Sequence, residues 1–218
     1  MNISSERFPV LYGFYQDYLS DTDIARYQNR VSGRYTPATL ERLIAFPNVS
    51  VQRAAVLALG LVGDFQNTSS LAQALHSSDK MTAMLAEVAS RTVWKRFAQS
   101  EERRILRQIT DMNQAGDPSQ DVAWATALLE RTPKFAEVRY QRGRAWYLLG
   151  QNREALSDFR QTLAANPFHF DAARMMAHCF IEMGDSKRML RAFQMALELN
   201  PNLKTVSIRQ RCNASRKA

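Results

Sequence analysis

An all-α solenoid of stacked helical hairpins is the fold class this 218-residue chain predicts. Three observations carry that expectation. Gly150, Phe159, Asn166 and Pro167 return 34 residues later as Gly184, Phe193, Asn200 and Pro201. Nearer the amino terminus, Leu40, Val51 and Ala55 are echoed 31 residues on by Leu71, Thr82 and Ala86. Between these landmarks the apolar residues recur at spacings of three and four, which is the helical period. A fixed period of this length marks a two-helix unit that cannot bury its apolar face alone and must stack on its neighbours.

The first 35 residues hold Phe8, Tyr12, Phe14, Tyr15, Tyr18 and Tyr27, and helices are expected over 9–19 and 23–31. Aromatic rings pack the end of a helical stack well, and the first hairpin has an apolar face that needs covering. A helical cap is the preferred role, with a surface for a partner as the alternative. Thr36 is then a good N-cap and Pro37 a good first helical residue, opening a helix with Leu40, Leu43, Ile44 and Phe46. After the turn at Pro47 and Asn48, residues 51–60 form the second helix, ending near Gly63. The weaker second copy has helices over 67–75 and 81–97. The passage from Thr36 to Gly60 resembles a HEAT-like repeat of the short kind found in bilin-lyase-type scaffolds, with Gln52 where that family often has Arg and Arg53 beside it.

The carboxy-terminal half falls into units 136–169 and 170–203. In the first, Val138, Gly143, Ala145, Trp146 and Leu149 line a helix that ends at Gly150. Ala155, Leu156, Phe159, Thr162 and Leu163 line the next, and Asn166 with Pro167 stops it. The second unit repeats the scheme from Ala173 to Pro201. Gly143 and Ala177 occupy the equivalent site, where two helices cross so closely that only a small side chain fits. Gly143, Trp146, Gly150, Ala155, Phe159 and Pro167, and again Ala177, Phe180, Gly184, Phe193, Ala196 and Pro201, resemble tetratricopeptide (TPR) repeats. Gly116 and Pro133 mark a third, degenerate copy over 102–135, in which Asp121 takes the usual small position of the second helix.

The expected organisation is therefore an aromatic-rich helical cap (1–35), HEAT-like repeats (36–100), three TPR-like repeats (101–203), and a capping helix with a basic tail (204–218). The seam between the two repeat types is expected within 94–100.

Composition narrows the function classes. The hydrophobic fraction of 45 % allows a real core. A formal charge of +8 and a pI of about 9.8 suit acidic proteins, nucleic acid or anionic surfaces. Residues 204–218 supply five of those eight charges and contain no acid. Cys179 and Cys212 are the two cysteines. Neither has a CxxC partner or a nearby His pair, which argues against a disulfide framework or a zinc site. Cys179 falls where the repeat wants a small apolar residue and is expected as a buried thiol. The first nine residues lack a basic run followed by an apolar one, and no window approaches the ~20 apolar residues of a membrane span. The expectation is a soluble protein of a reducing cytoplasm.

No phosphate loop, metal cluster or nucleophile motif stands out, so no catalytic residue and no cofactor is expected. His76 and His169 fall in inter-helix turns, where a solvated or hydrogen-bonded imidazole is the ordinary state. The TPR resemblance implies a concave groove lined by the second, fifth, ninth and twelfth residues of each unit. Those are Glu137, Tyr140, Arg144 and Tyr147, then Asp171, Arg174, His178 and Ile181, with Arg103, Leu106, Thr110 and Asn113 in the degenerate copy. Tyr140, Arg144, Tyr147, Arg174, His178 and Ile181 are the candidate partner-binding residues. A rigid phenol ring gives contact area, and a guanidinium grips a carboxylate through two parallel bonds.

The expected function is a non-enzymatic interaction scaffold or assembly subunit that takes a peptide or protein segment of acidic character. RNA or another polyanion on the basic tail and the Arg-rich helices is the second expectation. A bilin-lyase-like activity is the remote third.

Overall fold

The computed structural model describes residues 8–97 and 100–203, without the side chains of residues 100 and 112–115. The capping helix and basic tail expected over 204–218, the side chain of Asn113, and part of the seam over 94–100 lie outside the described residues. The described residues form twelve α-helices and a single 3-10 turn, with no strand. In chain order the helices are α1 (Val10–Asp21), α2 (Ile24–Ser32), α3 (Pro37–Ile44), α4 (Val49–Val62), α5 (Thr68–Ala74), α6 (Lys80–Trp94), α7 (Ser100–Ala115), α8 (Pro118–Arg131), α9 (Ala136–Leu148), α10 (Asn152–Ala165), α11 (Phe170–Glu182) and α12 (Ser186–Leu199).

Polar caps set most helix starts. Asp23, Thr36, Asn48, Asp79, Asp117 and Asp185 each accept a backbone N–H from the helix they open. Each such cap is worth about 1 kcal/mol. The stops in the two matching hairpins are identical. Gly150 and Gly184 sit at φ +73° and +70°, in the left-handed region that favours glycine. Their N–H groups donate to Tyr147 O and Ile181 O, both at 3.0 Å. The next residues, Gln151 and Asp185, donate to Trp146 O and Phe180 O, both at 2.9 Å. This pair of bonds reverses the chain so that α10 and α12 fold back onto α9 and α11.

Side-chain size then sets how closely the helices pack. A Cβ on Gly143 would stand 2.7 Å from the Phe159 ring, so α9 and α10 cross closer than any larger residue allows. A Cβ on Gly60 of α4 would stand 2.8 Å from the Ala89 Cβ of α6. In the amino-terminal half, α4 and α6 form the spine, with α1, α2 and α3 packed on α4 and α5 on α6. Tyr15 and Tyr27 are buried in that core, and the Tyr27 hydroxyl donates to Ala54 O at 2.7 Å. Phe14 and Tyr18 pack against the same core, while Phe8 is exposed. Arg53 spans from α4 to the start of α6, where Nε and Nη2 meet the Asp79 carboxylate at 2.9 and 2.7 Å. In the carboxy-terminal half, α7 to α12 stack as consecutive hairpins, α8 against α9 and α10 against α11.

The stack does not simply run onward from the amino-terminal half. The base of the last hairpin returns to α5 and α6: Phe170, Leu199 and Leu203 join the core built by α1 to α6. Asn200 Nδ2 donates to Glu87 at 3.0 Å, and Asn202 Nδ2 donates to Leu75 O at 2.8 Å. Trp94 stacks on His169 with ring centroids 4.2 Å apart. Phe97 bridges Phe65 and Phe135 at 5.1 and 5.6 Å.

The degenerate hairpin carries a burden. Asp121 is fully buried, and neither carboxylate oxygen has a hydrogen-bond partner. Burial, and then the charge of Asp117, push its carboxyl above the ordinary range, against a smaller opposing pull from Arg144. A buried polar group without a partner costs about 1–3 kcal/mol, partly offset by the favourable place of an acid in the first turn of α8. Asp121→Ala is expected to stabilise the protein by about 1 kcal/mol near neutral pH. A group with a raised folded-state value destabilises most where it is ionised, so the gain should shrink in acid; thermal melts at two pH values measure both parts.

Candidate functional site

The return of the last hairpin encloses a cleft of about 460 Å³ between α6, α7, α9 and α11. From α9 come Glu137, Tyr140, Gln141, Arg144, Tyr147 and Leu148, spaced by three and four so that they share a face. Arg91, Trp94 and Lys95 form the wall at the end of α6, Asp171, Arg174 and Met175 that of α11, with Thr110 of α7 and His169 completing the lining.

The floor is polar and satisfied from within. Asp171 is buried, and its carboxylate takes Arg91 Nε at 2.6 Å, Arg91 Nη2 at 3.2 Å and Arg174 Nη2 at 3.1 Å. Burial alone would raise the Asp171 carboxyl; the hydrogen bonds and charge of Arg91, with the charge of Arg174, leave it below the usual carboxylate range. Arg91 also holds Glu87 at 2.6 Å, so a single guanidinium clamps α6 internally and onto α11.

His169 is fully buried. Its Nδ1 accepts the Ala172 N–H at 3.1 Å, which puts its proton on Nε2, 3.3 Å from Glu137 Oε2. The other Glu137 oxygen accepts from Gln141 Nε2 at 2.7 Å. Tyr140 is 7 % exposed, its ring packed against Phe159 and His169. Burial, and then the charge of Asp171, raise its phenol, so it stays neutral and offers a hydroxyl rather than a charge.

The rim is cationic. Arg144 is half-buried and donates to the neutral Gln141 Oε1 at 3.0 Å. Lys95, also half-buried, forms no ion pair among the described residues. Four cations, Arg91, Lys95, Arg144 and Arg174, thus line a cleft whose two carboxylates are already engaged.

Of the six residues singled out from the sequence, Tyr140, Arg144, Tyr147 and Arg174 line this one cleft. His178 and Ile181 do not line it. The His178 ring lies edge-on to Tyr147 and Phe193 at 6.5 and 5.9 Å, and Ile181 packs against the core of α9 to α12. Sequence reasoning missed Arg91, Trp94 and Lys95, because nothing in a repeat period says that α6 meets α11. It also placed His169 as an ordinary turn residue. One signal was present: a capping position that offers a ring nitrogen beside Phe170 is unlike the solvated turn at His76. Cys179 is buried, and burial pushes its thiol up to about 12, leaving it unreactive at neutral pH. Among the described residues no group of three or more His, Cys, Asp or Glu side chains is placed to hold a metal ion, and no helix is long and apolar enough to cross a membrane.

No protein-family model and no curated protein matches the chain. Several solved structures are similar to the chain at low identity. A MamA mutant is 21 % identical over 70 % of this chain and 98 % of its own, with a TM-score of 0.43. MamA MSR-1 is 17 % identical over 88 % of this chain and 97 % of its own, with a TM-score of 0.42. YrrB, described as a TPR protein with an unusual peptide-binding site, is 18 % identical over 87 % of this chain and 93 % of its own, with a TM-score of 0.44. Each is a likeness of helical arrangement and assigns no residue or partner here.

Proposed function

We propose that the protein is a non-enzymatic interaction scaffold, built of HEAT-like and TPR-like hairpins, which holds an acidic protein segment in the cleft between α6, α9 and α11. The observation that carries this reading is the charge balance of the cleft. Its two acids, Glu137 and Asp171, are buried and consumed by internal bonds. Arg144 and Lys95 are left at the rim with no carboxylate bound. A guanidinium in no ion pair among the described residues, beside a half-buried Tyr147 ring, combines two of the residue types that most often anchor an interface. A carboxylate on the incoming segment would gain a charge-assisted, two-point bond at Arg144, a stronger contact than the neutral amide of Gln141 provides.

The test compares proteins captured by wild type and by Arg144→Glu in native extracts, with Arg188→Glu on the exposed face of α12 as the control. Partners should be lost from the first variant and retained by the second, with both variants showing wild-type circular dichroism. An identical partner set on all three proteins would remove the cleft from the account.

A further inference from the structure

A second concavity, of about 370 Å³, lies where α6 gives way to α7 and is lined by Thr92, Lys95, Arg96, Arg103, Leu106 and Arg107. Four of its six lining residues are cations. Arg103 and Arg107 stand one turn apart on α7, where like charges repel. Arg103 also lies close to the positive N-terminal end of that helix dipole. The end of the α6 dipole accounts for Lys95 and Arg96, while Arg103 and Arg107 form no ion pair among the described residues.

The acids that begin α7 are turned elsewhere, Glu101 to Arg104 at 2.7 Å and Glu102 to Arg131 at 3.3 Å. Arg96 is fixed by a 2.7 Å bond to Gly63 O, and burial, followed by the charge of Arg103, lowers its guanidinium below the ordinary range. Asp64 opposes that shift only as the weaker influence. Four cations around one concavity, none of them in an ion pair among the described residues, fit an anion of more than one charge.

We propose that this pocket binds a phosphoryl group carried by a protein segment, the same segment that occupies the neighbouring cleft. The inference rests on the scaffold reading above, and Lys95, which lines both concavities, is where the two meet. A phosphorylated side chain brings close to two negative charges and three acceptor oxygens, and two guanidiniums one turn apart can each bind a pair of them. The lining holds no aromatic ring on which a base could stack, which favours a phosphorylated protein over single-stranded RNA.

The experiment follows backbone amide shifts by NMR while inorganic phosphate, O-phospho-L-serine and a short oligouridylate are titrated separately into the full chain. Phosphate and phosphoserine should shift the amides of 92–96 and 103–107 saturably. The double substitution Arg103→Gln with Arg107→Gln should weaken both by tenfold or more, and Arg144→Gln should not. Circular dichroism checks that the double variant is folded. Two results would overturn the proposal: no saturable response to millimolar phosphate, or oligouridylate binding a hundredfold tighter than phosphoserine through the same two arginines, which would assign the pocket to RNA. Because phosphate needs no protein partner, this titration can fail while the Arg144 capture experiment succeeds, and the reverse.

Discussion

Arg142→Met is expected to destabilise the protein by about 3–5 kcal/mol, the largest effect of any single charge removal among the described residues. Arg142 of α9 donates through Nε and Nη2 to the two oxygens of Asp158 in α10, both at 2.8 Å, and through Nη1 to Thr126 Oγ1 of α8 at 3.1 Å. One guanidinium therefore ties three successive helices at the level where Gly143 brings α9 against Phe159. Asp158 is 2 % exposed, so removing Arg142 strands a carboxylate where water cannot reach it. That cost, rather than the strength of the pair, makes the effect large. Adding Asp158→Leu to the variant should accordingly recover most of the loss, because an apolar pair of similar volume substitutes well for a buried ion pair. Urea denaturation followed by circular dichroism measures both variants, and an equal loss in single and double variants would show that packing, not the stranded charge, sets the cost.

The second large effect is at the junction between the two halves. Asp171→Asn is expected to cost about 1–3 kcal/mol, less than at Asp158 because the Arg91 side chain remains 37 % exposed and screened by water. The loss should be local, read as faster hydrogen exchange at the carboxy-terminal turns of α6 and the first turns of α11, with α3 and α10 unchanged. Wild type should reproduce it in acid. Since Asp171 is held below its unfolded-state value, the pair contributes fully above pH ~4 and is lost as the pH falls through the folded-state value. The Asn variant should show no such acid step at the junction. A junction that loosened equally in both proteins as the pH fell would place the acid-sensitive contact elsewhere.

These two sites mark the limit of what was legible in the sequence. The hairpins of the carboxy-terminal half could be read because local geometry writes them: glycine best suits the left-handed stops at Gly150 and Gly184, and only a small residue suits the Gly143 crossing. Thr36 could be read as a cap for the same reason. A period, however, encodes contacts between neighbours along the stack. The return of the last hairpin onto α6 depends on single residues far apart in the chain. Arg91 and Asp171 are 80 positions apart, and Asn202 and Leu75 are 127 apart. Neither pair recurs, so no repeat announces it.

The cleft was legible to the same extent. Tyr140, Arg144, Tyr147 and Arg174 share a lining because helix spacing places them there. The α6 wall was invisible, and Tyr140 was expected as an open groove residue when its ring is packed beneath the surface. His178 lies one turn beyond, against Tyr147 and Phe193 rather than in the lining.

The most direct test of the central claim, that a protein segment lies in the cleft between α6, α9 and α11, is site-specific photocrosslinking. Benzoylphenylalanine replaces Tyr147 in one protein and the exposed Leu190 of α12 in another, and each is irradiated in native extract. Position 147 should yield a discrete crosslinked partner, abolished by Arg144→Glu, and position 190 should yield none. Crosslinks from position 190 with none from position 147 would contradict that claim.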